Sequence, residues 1–155
     1  MVGAYILFSN LQNVSFKLHV IQERCNGCKV CEQICQMNHK HSTASRIRIF
    51  SSSDITFEVM VCNMCESHEC IKSCEHGAIF IDKLNNTPTI TQSICNNCMK
   101  CVYSCKSNGL FYDFRNNDII ACDTCNSRFF CALLCPRGAL GKIRVTEPIK
   151  VAQSF

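Results

Sequence analysis

The chain has 155 residues, of which 47% are hydrophobic and 18% are charged, and its formal net charge is +4. This composition is too apolar for a disordered tail and too polar for a membrane protein, so it predicts a soluble globular protein. The basic residues are scattered singly, without a basic face interleaved with aromatic residues. This pattern argues against nucleic acid as a partner.

The first sixteen residues, 1-16, carry no charge and are interpreted as an N-terminal extension. They lack the basic region of a secretory signal, and their apolar run from Ala4 to Phe8 is too short for its hydrophobic part. Nowhere does the chain approach the roughly 18 to 20 apolar residues that a membrane helix needs. We therefore expect a cytoplasmic location and no membrane span. In a reducing compartment, a chain rich in cysteine more often binds metal than forms disulfides.

Short helices and hairpins are predicted along the rest of the chain, and together they indicate a small, repeated α+β fold. Strand alternation with polar turn residues predicts three hairpins, and apolar spacing predicts three short helices. In chain order these begin with a helix at Val30 to Cys35, a hairpin of Arg46 to Phe50 and Ile55 to Val61, and a hairpin of Ala78 to Asp82 and Thr89 to Thr91 with a turn from Asn85 to Pro88. These are followed by a helix at Met99 to Cys105, a hairpin of Leu110 to Phe114 and Ile119 to Ala121, and a helix at Phe129 to Cys135.

All sixteen cysteines fall into four groups of four, and each group ends in C-x3-C. Cysteine makes up about one residue in ten, which is above the level of ordinary core filler. The groups are Cys25, Cys28, Cys31 and Cys35; Cys62, Cys65, Cys70 and Cys74; Cys95, Cys98, Cys101 and Cys105; and Cys122, Cys125, Cys131 and Cys135. The fourfold repeat indicates one chemistry used four times.

This spacing is typical of iron-sulfur proteins. Three closely spaced thiolates can bind three irons of one [4Fe-4S] cube, and the fourth cysteine ligates the other cluster in two-cluster ferredoxins. Four motifs therefore predict two ferredoxin-like halves and four [4Fe-4S] clusters. Because short hairpins and helices bury little apolar surface, the clusters would serve as the core, and the protein without them should be unfolded or molten.

Three other interpretations of the cysteines compete with iron-sulfur clusters. Structural zinc suits C-x2-C pairs, but zinc sites use two separated pairs and do not explain a third cysteine in the same loop. A disulfide scaffold is disfavoured by the crowded thiols and the expected reducing location. Haem attachment is excluded because no C-x-x-C pair precedes a histidine. The residues His39 and His41 could bind metal, but a solvated loop is the simpler interpretation.

From Arg24 to Ile143 the sequence resembles the four-cluster iron-sulfur subunits of molybdenum and tungsten oxidoreductases, a group that includes the electron-transfer subunit of dimethyl sulfoxide reductase. Three segments are similar to the small polyferredoxin subunits that accompany tungsten-dependent aldehyde oxidoreductases and benzoyl-coenzyme A reductases. These segments are Cys25-Asn26-Gly27-Cys28 through Cys31-Glu32, Cys35-Gln36-Met37-Asn38-His39, and Ser45-Arg46-Ile47.

The resemblance implies a crossed ligation, in which each cluster takes three cysteines from one motif and one from another. The implied sets are quartet 1 (Cys25, Cys28, Cys31, Cys135), quartet 2 (Cys35, Cys122, Cys125, Cys131), quartet 3 (Cys62, Cys65, Cys70, Cys105) and quartet 4 (Cys74, Cys95, Cys98, Cys101). Residues 17-155 would then form one polyferredoxin domain. Its outer module would hold the motifs at 25-35 and 122-135, and its inner module those at 62-74 and 95-105.

No catalytic motif is visible, and every cysteine is assigned as a ligand, so we expect a non-catalytic electron-transfer subunit. Its expected partners are a tungsten or molybdenum pterin catalytic subunit and either a soluble redox carrier or a further electron-transfer subunit. The alternatives are a subunit of a hydrogenase, formate dehydrogenase or carbon monoxide dehydrogenase, or a free polyferredoxin carrier. A zinc-binding interaction module is the rival from a different class.

Overall fold

The computed structural model describes residues 15–39, 44–83 and 85–145, so residues 1–14 of the predicted extension and His41 lie outside the described residues. The described ranges contain helices α1 (Val30–Asn38), α2 (Glu69–Lys72), α3 (Lys100–Ser104) and α4 (Phe130–Leu133), and strands β1 (Ser15–Val20), β2 (Ile47–Ser51), β3 (Phe57–Val61), β4 (Ile79–Asp82), β5 (Thr87–Ile90), β6 (Leu110–Asp113), β7 (Asp118–Ala121) and β8 (Leu140–Val145). A short 3-10 helix spans Gln22–Arg24. Mixed helices and antiparallel hairpins confirm the predicted α+β class. None of the described helices is long and apolar enough to cross a membrane.

Three of the four antiparallel strand pairs are the predicted hairpins, β2 with β3, β4 with β5, and β6 with β7. The turn predicted from Asn85 to Pro88 is wrong in its second half, because β5 begins at Thr87. Thr87 pairs with Asp82, and Pro88 pairs with Ile81. A proline lacks a backbone N–H, but every strand of a two-stranded sheet has a free edge where that donor is not needed.

The fourth strand pair, β1 with β8, was not predicted from the sequence. Val20 lies opposite Leu140, and Phe16 lies opposite Arg144, so the first described strand is paired with the last. The last two residues of the predicted extension, Ser15 and Phe16, therefore belong to this strand. The pair places the first cysteine motif, which follows β1, near the last motif, which precedes β8.

Each of the four helices is preceded by a residue in the left-handed backbone conformation, and none of these residues is glycine. They are Lys29, His68, Met99 and Phe129, with φ of 56°, 45°, 64° and 52°. Each stands two positions before the third cysteine of its motif. Left-handed geometry costs a non-glycine residue about 1–2 kcal/mol. A left-handed residue followed by a right-handed one turns successive N–H groups into an anion-binding concavity. The fourfold recurrence therefore indicates a shared requirement of the cysteine loops.

The buried apolar side chains form two groups, and cysteines are part of both. One group contains residues of β2, β3 and Phe129 together with Cys31, Cys35 and Cys131. The other contains residues of β4, β6 and β7 together with Cys70 and Cys101. Helix α1 packs against α4, and α2 packs against α3. The division into an outer and an inner module stays a prediction.

Candidate metal centres

Three of the four predicted quartets each line a cavity of their own. Quartet 1 lines a cavity beside Pro136 and Arg137. Quartet 2 lines one beside Asp123 and Phe129. Quartet 4 lines one beside His76. Each of the three cavities is lined by all four cysteines of its quartet. Cavities with the same four donors are what several copies of one bound group would require.

Quartet 3 has no such cavity among those described, but its thiols lie near one another and two of its backbone segments approach closely. Cys105, Cys70 and Cys65 are near enough to Cys62 to raise its pKa electrostatically. The backbone N–H of Gly109 donates to the Cys105 Sγ over 3.3 Å. Gly109 itself lies against the backbone at Cys62, because a Cβ placed on it would stand 2.5 Å from the carbonyl carbon of Val61. The absence of a side chain at Gly109 thus lets two members of quartet 3 approach each other.

The spacing of the thiols bears on the choice between zinc and a larger group. Tetrahedral zinc with Zn–S bonds of about 2.3 Å holds its sulfurs about 3.8 Å apart. All sixteen cysteines are free in the structure. Among the described residues, three ligand atoms lie within 4.8 Å of one another at one place only, formed by His39, Asp123 and Cys125. No three thiols of a quartet are that close. The wider separation fits a group with several metal atoms, in which each thiolate bonds a different iron.

Burial raises the pKa of eight of the sixteen thiols and makes them poor thiolates in the absence of a metal. Burial raises the pKa of Cys31 to about 12. It raises the pKa of Cys62 to about 12, and that of Cys131 to about 12. A coordinating metal ion deprotonates such a thiol, because the cation replaces the solvation that the thiolate has lost. The chemistry of the donors therefore suits a metal cluster better than free thiol reactivity.

The last cysteine of each motif receives backbone N–H groups. The N–H of Ala78 donates to the Cys74 Sγ over 3.3 Å, as Gly109 does to Cys105. At Cys135, burial raises the pKa, but N–H groups of residues 137–140 outweigh it and lower the pKa below its usual value. Such N–H donors stabilise negative charge on sulfur, and hydrogen bonds to sulfur are one of the factors that set cluster potentials.

One group of residues at quartet 2 was missed in the sequence. The side chain of His39 is not a solvated loop residue, since it is only 10% exposed. Its Nδ1 lies 2.7 Å from the Cys35 carbonyl oxygen, and its Nε2 lies 3.0 Å from the Asp123 carboxylate. Arg46 reaches the same carboxylate over 3.0 Å. No local pattern could have shown this, because Asp123 is 84 residues from His39.

Three pairs of quartets lie next to each other, namely quartets 1 and 2, quartets 2 and 3, and quartets 3 and 4. Cys31 of quartet 1 acts electrostatically on Cys131 of quartet 2. Cys62 of quartet 3 acts on Cys122 of quartet 2. Quartets 3 and 4 share the buried group formed around helices α2 and α3. Of the sixteen cysteines, all of which are described, only Cys28 and Cys98 are exposed, and they belong to the two terminal quartets.

Comparison with known proteins finds sequence similarity to subunits of oxidoreductases. No family model matches the chain. It is 24% identical over 119 residues to the polyferredoxin-like subunit of an aliphatic sulfonate oxidoreductase from Pyrococcus furiosus, a match that spans 75% of this chain and 69% of the relative. It is 26% identical over 152 residues to one of the chains of an anaerobic dimethyl sulfoxide reductase from Haemophilus influenzae, spanning 81% and 72% respectively. A homolog of the protein NrfC from the same organism is 27% identical over 93 residues, which is 54% of this chain and 41% of that relative.

Two of these relatives are named as parts of oxidoreductases, and one is named as polyferredoxin-like. With the sixteen cysteines and the α+β hairpin fold, the similarity supports an iron-sulfur electron-transfer subunit of an oxidoreductase complex. The particular partner enzyme and the type and number of clusters belong to the proposal that follows.

Proposed function

We propose that this chain holds four [4Fe-4S] clusters and relays single electrons between a tungsten or molybdenum pterin catalytic subunit, of the aldehyde oxidoreductase type, and an external acceptor or further subunit. One observation carries the proposal. Cysteines of distant motifs line common cavities, as Cys135 does with Cys25, Cys28 and Cys31, and this supports the crossed quartets that the resemblance implies.

The spacing of the thiols and the hydrogen bonds to their sulfurs suit this role. The quartet thiols are spaced more widely than a single zinc ion requires. Backbone N–H groups donate to Cys35, Cys74 and Cys105, so negative charge on these sulfurs is stabilised by hydrogen bonds rather than by water. A bound [4Fe-4S] cluster supplies reversible one-electron transfer. The cysteines are all engaged as ligands in this proposal, so the chemistry of the substrate belongs to the partner.

The linear order of the quartets supports a relay with two ends. Quartets 2 and 3 lie in the interior of the order, and their cysteines are buried or half-buried. Quartets 1 and 4 each present one exposed cysteine, Cys28 and Cys98. Electron exchange with other proteins requires close approach to a cluster, so we assign the contacts with partners to these two ends.

The class of catalytic partner rests on resemblance and similarity. The segments around His39 and Arg46 resemble the small polyferredoxin subunits of tungsten-dependent aldehyde oxidoreductases, and similarity to subunits of a sulfonate oxidoreductase and of a dimethyl sulfoxide reductase is consistent with a catalytic partner subunit. A hydrogenase, formate dehydrogenase or carbon monoxide dehydrogenase is the alternative partner, and a free carrier would have none. Co-purification of the untagged native protein with a tungsten- or molybdenum-containing subunit distinguishes them.

Iron analysis of paired cysteine variants tests the crossed ligation. Cys31→Ala removes a ligand of quartet 1 and should lose about one quarter of the bound iron. Adding Cys135→Ala should lose no more, because both cysteines serve one cluster, so the two effects are not additive. Adding Cys35→Ala instead should double the loss, since Cys35 serves quartet 2. If Cys31 and Cys35, which share a motif, behave as one unit, the crossed arrangement is wrong.

A further inference from the structure

The first cysteine motif ends differently from the other three. Three residues after Cys74, Cys105 and Cys135 the chain turns through a left-handed residue, Gly77, Asn108 or Gly138, and a nearby N–H donates to the sulfur. None of the four residues after Cys35 is a left-handed turn residue. The sulfur of Cys35 instead accepts the backbone N–H of Arg46, eleven residues later, over 3.2 Å. The donor at Cys35 thus comes with a cationic side chain, as Arg137 does at Cys135, whereas Ala78 and Gly109 carry no charge.

The guanidinium of Arg46 forms an ion pair with Asp123, 77 residues along the chain. The same carboxylate also accepts the backbone N–H of Cys125 over 2.9 Å and lies 3.0 Å from His39 Nε2. The other ring nitrogen of His39 faces the Cys35 carbonyl oxygen. These contacts join Cys35, from the first motif, to Cys125, from the last, and both belong to quartet 2.

Within the described residues, this arginine is more shielded from solvent than the lysines that pair with glutamates, Lys72 and Lys100. The side chain of Arg46 is 20% exposed and that of Asp123 is 46% exposed. At quartet 4, Lys100 and Glu75 also pair, but they are 51% and 68% exposed. Charges act more strongly where solvent is excluded, whereas water and salt screen exposed charges. A charge at Arg46 therefore acts on quartet 2 more strongly than one at Lys100 acts on quartet 4.

We propose that the Arg46–Asp123 pair, with His39 orienting the carboxylate, sets the reduction potential of the cluster held by quartet 2. These are positioning residues, and the inference rests on the proposed function. An added electron makes the cluster more negative, so the Arg46 cation favours reduction and the Asp123 anion opposes it. The two charges compensate each other, and removal of either one leaves the other uncompensated beside the quartet.

Substitutions of the two side chains should therefore move one potential in opposite directions. The test is a redox titration of the anaerobic, cluster-loaded protein followed by electron paramagnetic resonance, with iron measured on each sample. Arg46→Gln should shift one of the midpoint potentials to a more negative value, and Asp123→Asn should shift the same one to a more positive value. Arg46→Lys keeps the cation, so this midpoint potential should stay close to its wild-type value. The backbone N–H to Cys35 remains in all three variants.

The matched control is Lys100→Gln, which removes a cation from the exposed pair at quartet 4. Lys100→Gln should shift a different midpoint potential, and this shift should be smaller than that of Arg46→Gln. Shifts of the same sign in Arg46→Gln and Asp123→Asn, or no shift in either, would overturn the inference. If Arg46→Gln loses iron, the test rests on Asp123→Asn alone. A positive shift of the midpoint potential in Asp123→Asn supports the inference, and an absent or negative shift refutes it. A wild-type protein without iron would instead refute the proposed function itself.

Discussion

Replacement of Gly109 by alanine is the sharpest single test of how quartet 3 is built. Gly109 follows Cys105 by four residues and lies against the backbone at Cys62, which is 6% exposed. An added Cβ would stand 2.5 Å from the Val61 carbonyl carbon and closer still to the Cys62 backbone nitrogen. Ordinary carbon contacts need about 3.5 Å, so the two segments must separate by about 1 Å. Backbone atoms cannot rotate away as a flexible side chain can.

This separation should affect iron binding as well as stability. Overpacking of this kind costs about 1–3 kcal/mol. Binding sites tolerate displacements of only about 0.5 Å, so Cys62 and Cys105 should no longer serve one cluster. We expect Gly109→Ala to lose about one quarter of the iron and acid-labile sulfide per chain, measured after anaerobic reconstitution. The visible absorbance should fall in proportion.

The matched control is Gly141→Ala in strand β8, because nothing lies within 4 Å of a Cβ placed there. It should retain the full iron content and the wild-type melting temperature. If Gly109→Ala also keeps all its iron, the close approach of the two segments does not position quartet 3, and the reasoning is refuted.

Three further predictions concern backbone strain, the core and the bound groups. Exposed Lys29 has φ of 56°, so Lys29→Gly should raise the melting temperature slightly, whereas Lys29→Val, which is β-branched, should lower stability by about 1–2 kcal/mol in thermal unfolding. Equal effects of the two would show that this backbone is not strained. Ile119 is buried, so Ile119→Ala should lower the free energy of unfolding by about 2–5 kcal/mol. Ile55 is 84% exposed, so Ile55→Ala should lower it by less than about 0.5 kcal/mol. Similar denaturation midpoints of the two variants would contradict the assigned core. Removal of iron by a chelator should abolish the cooperative unfolding transition seen by circular dichroism, because buried cysteines are part of both core groups. A sharp transition in the chelated protein would exclude a metal-dependent core.

Local features of the fold were accessible from the sequence because their causes are local. The hairpin β6–β7 was predicted from strand alternation and polar turn residues, and Asn117 in its turn takes the left-handed conformation that such turns favour. Helix α2 was missed because its residues, Glu69–Lys72, present no apolar period. The pair β1–β8 was missed because its register, Val20 against Leu140, depends on tertiary contacts.

The candidate site divides in the same way. The cysteines and their grouping were evident from spacing, but the loops that bring Cys135 to Cys25 depend on packing of helices α1 and α4. His39 was assigned to a solvated loop because its partner, Asp123, lies in another motif. Residues that surround a metal centre without binding it carry no spacing signal of their own. They are found only when the fold brings distant segments together.

The central claim is that the sixteen cysteines hold four [4Fe-4S] clusters, and metal analysis tests it most directly. The untagged protein would be purified anaerobically from its native host, and iron, acid-labile sulfide, zinc, tungsten and molybdenum would be measured on one sample. We predict about sixteen irons and sixteen sulfides per chain, with tungsten or molybdenum in a larger co-purifying subunit. About four zinc ions per chain without iron or sulfide would contradict the account.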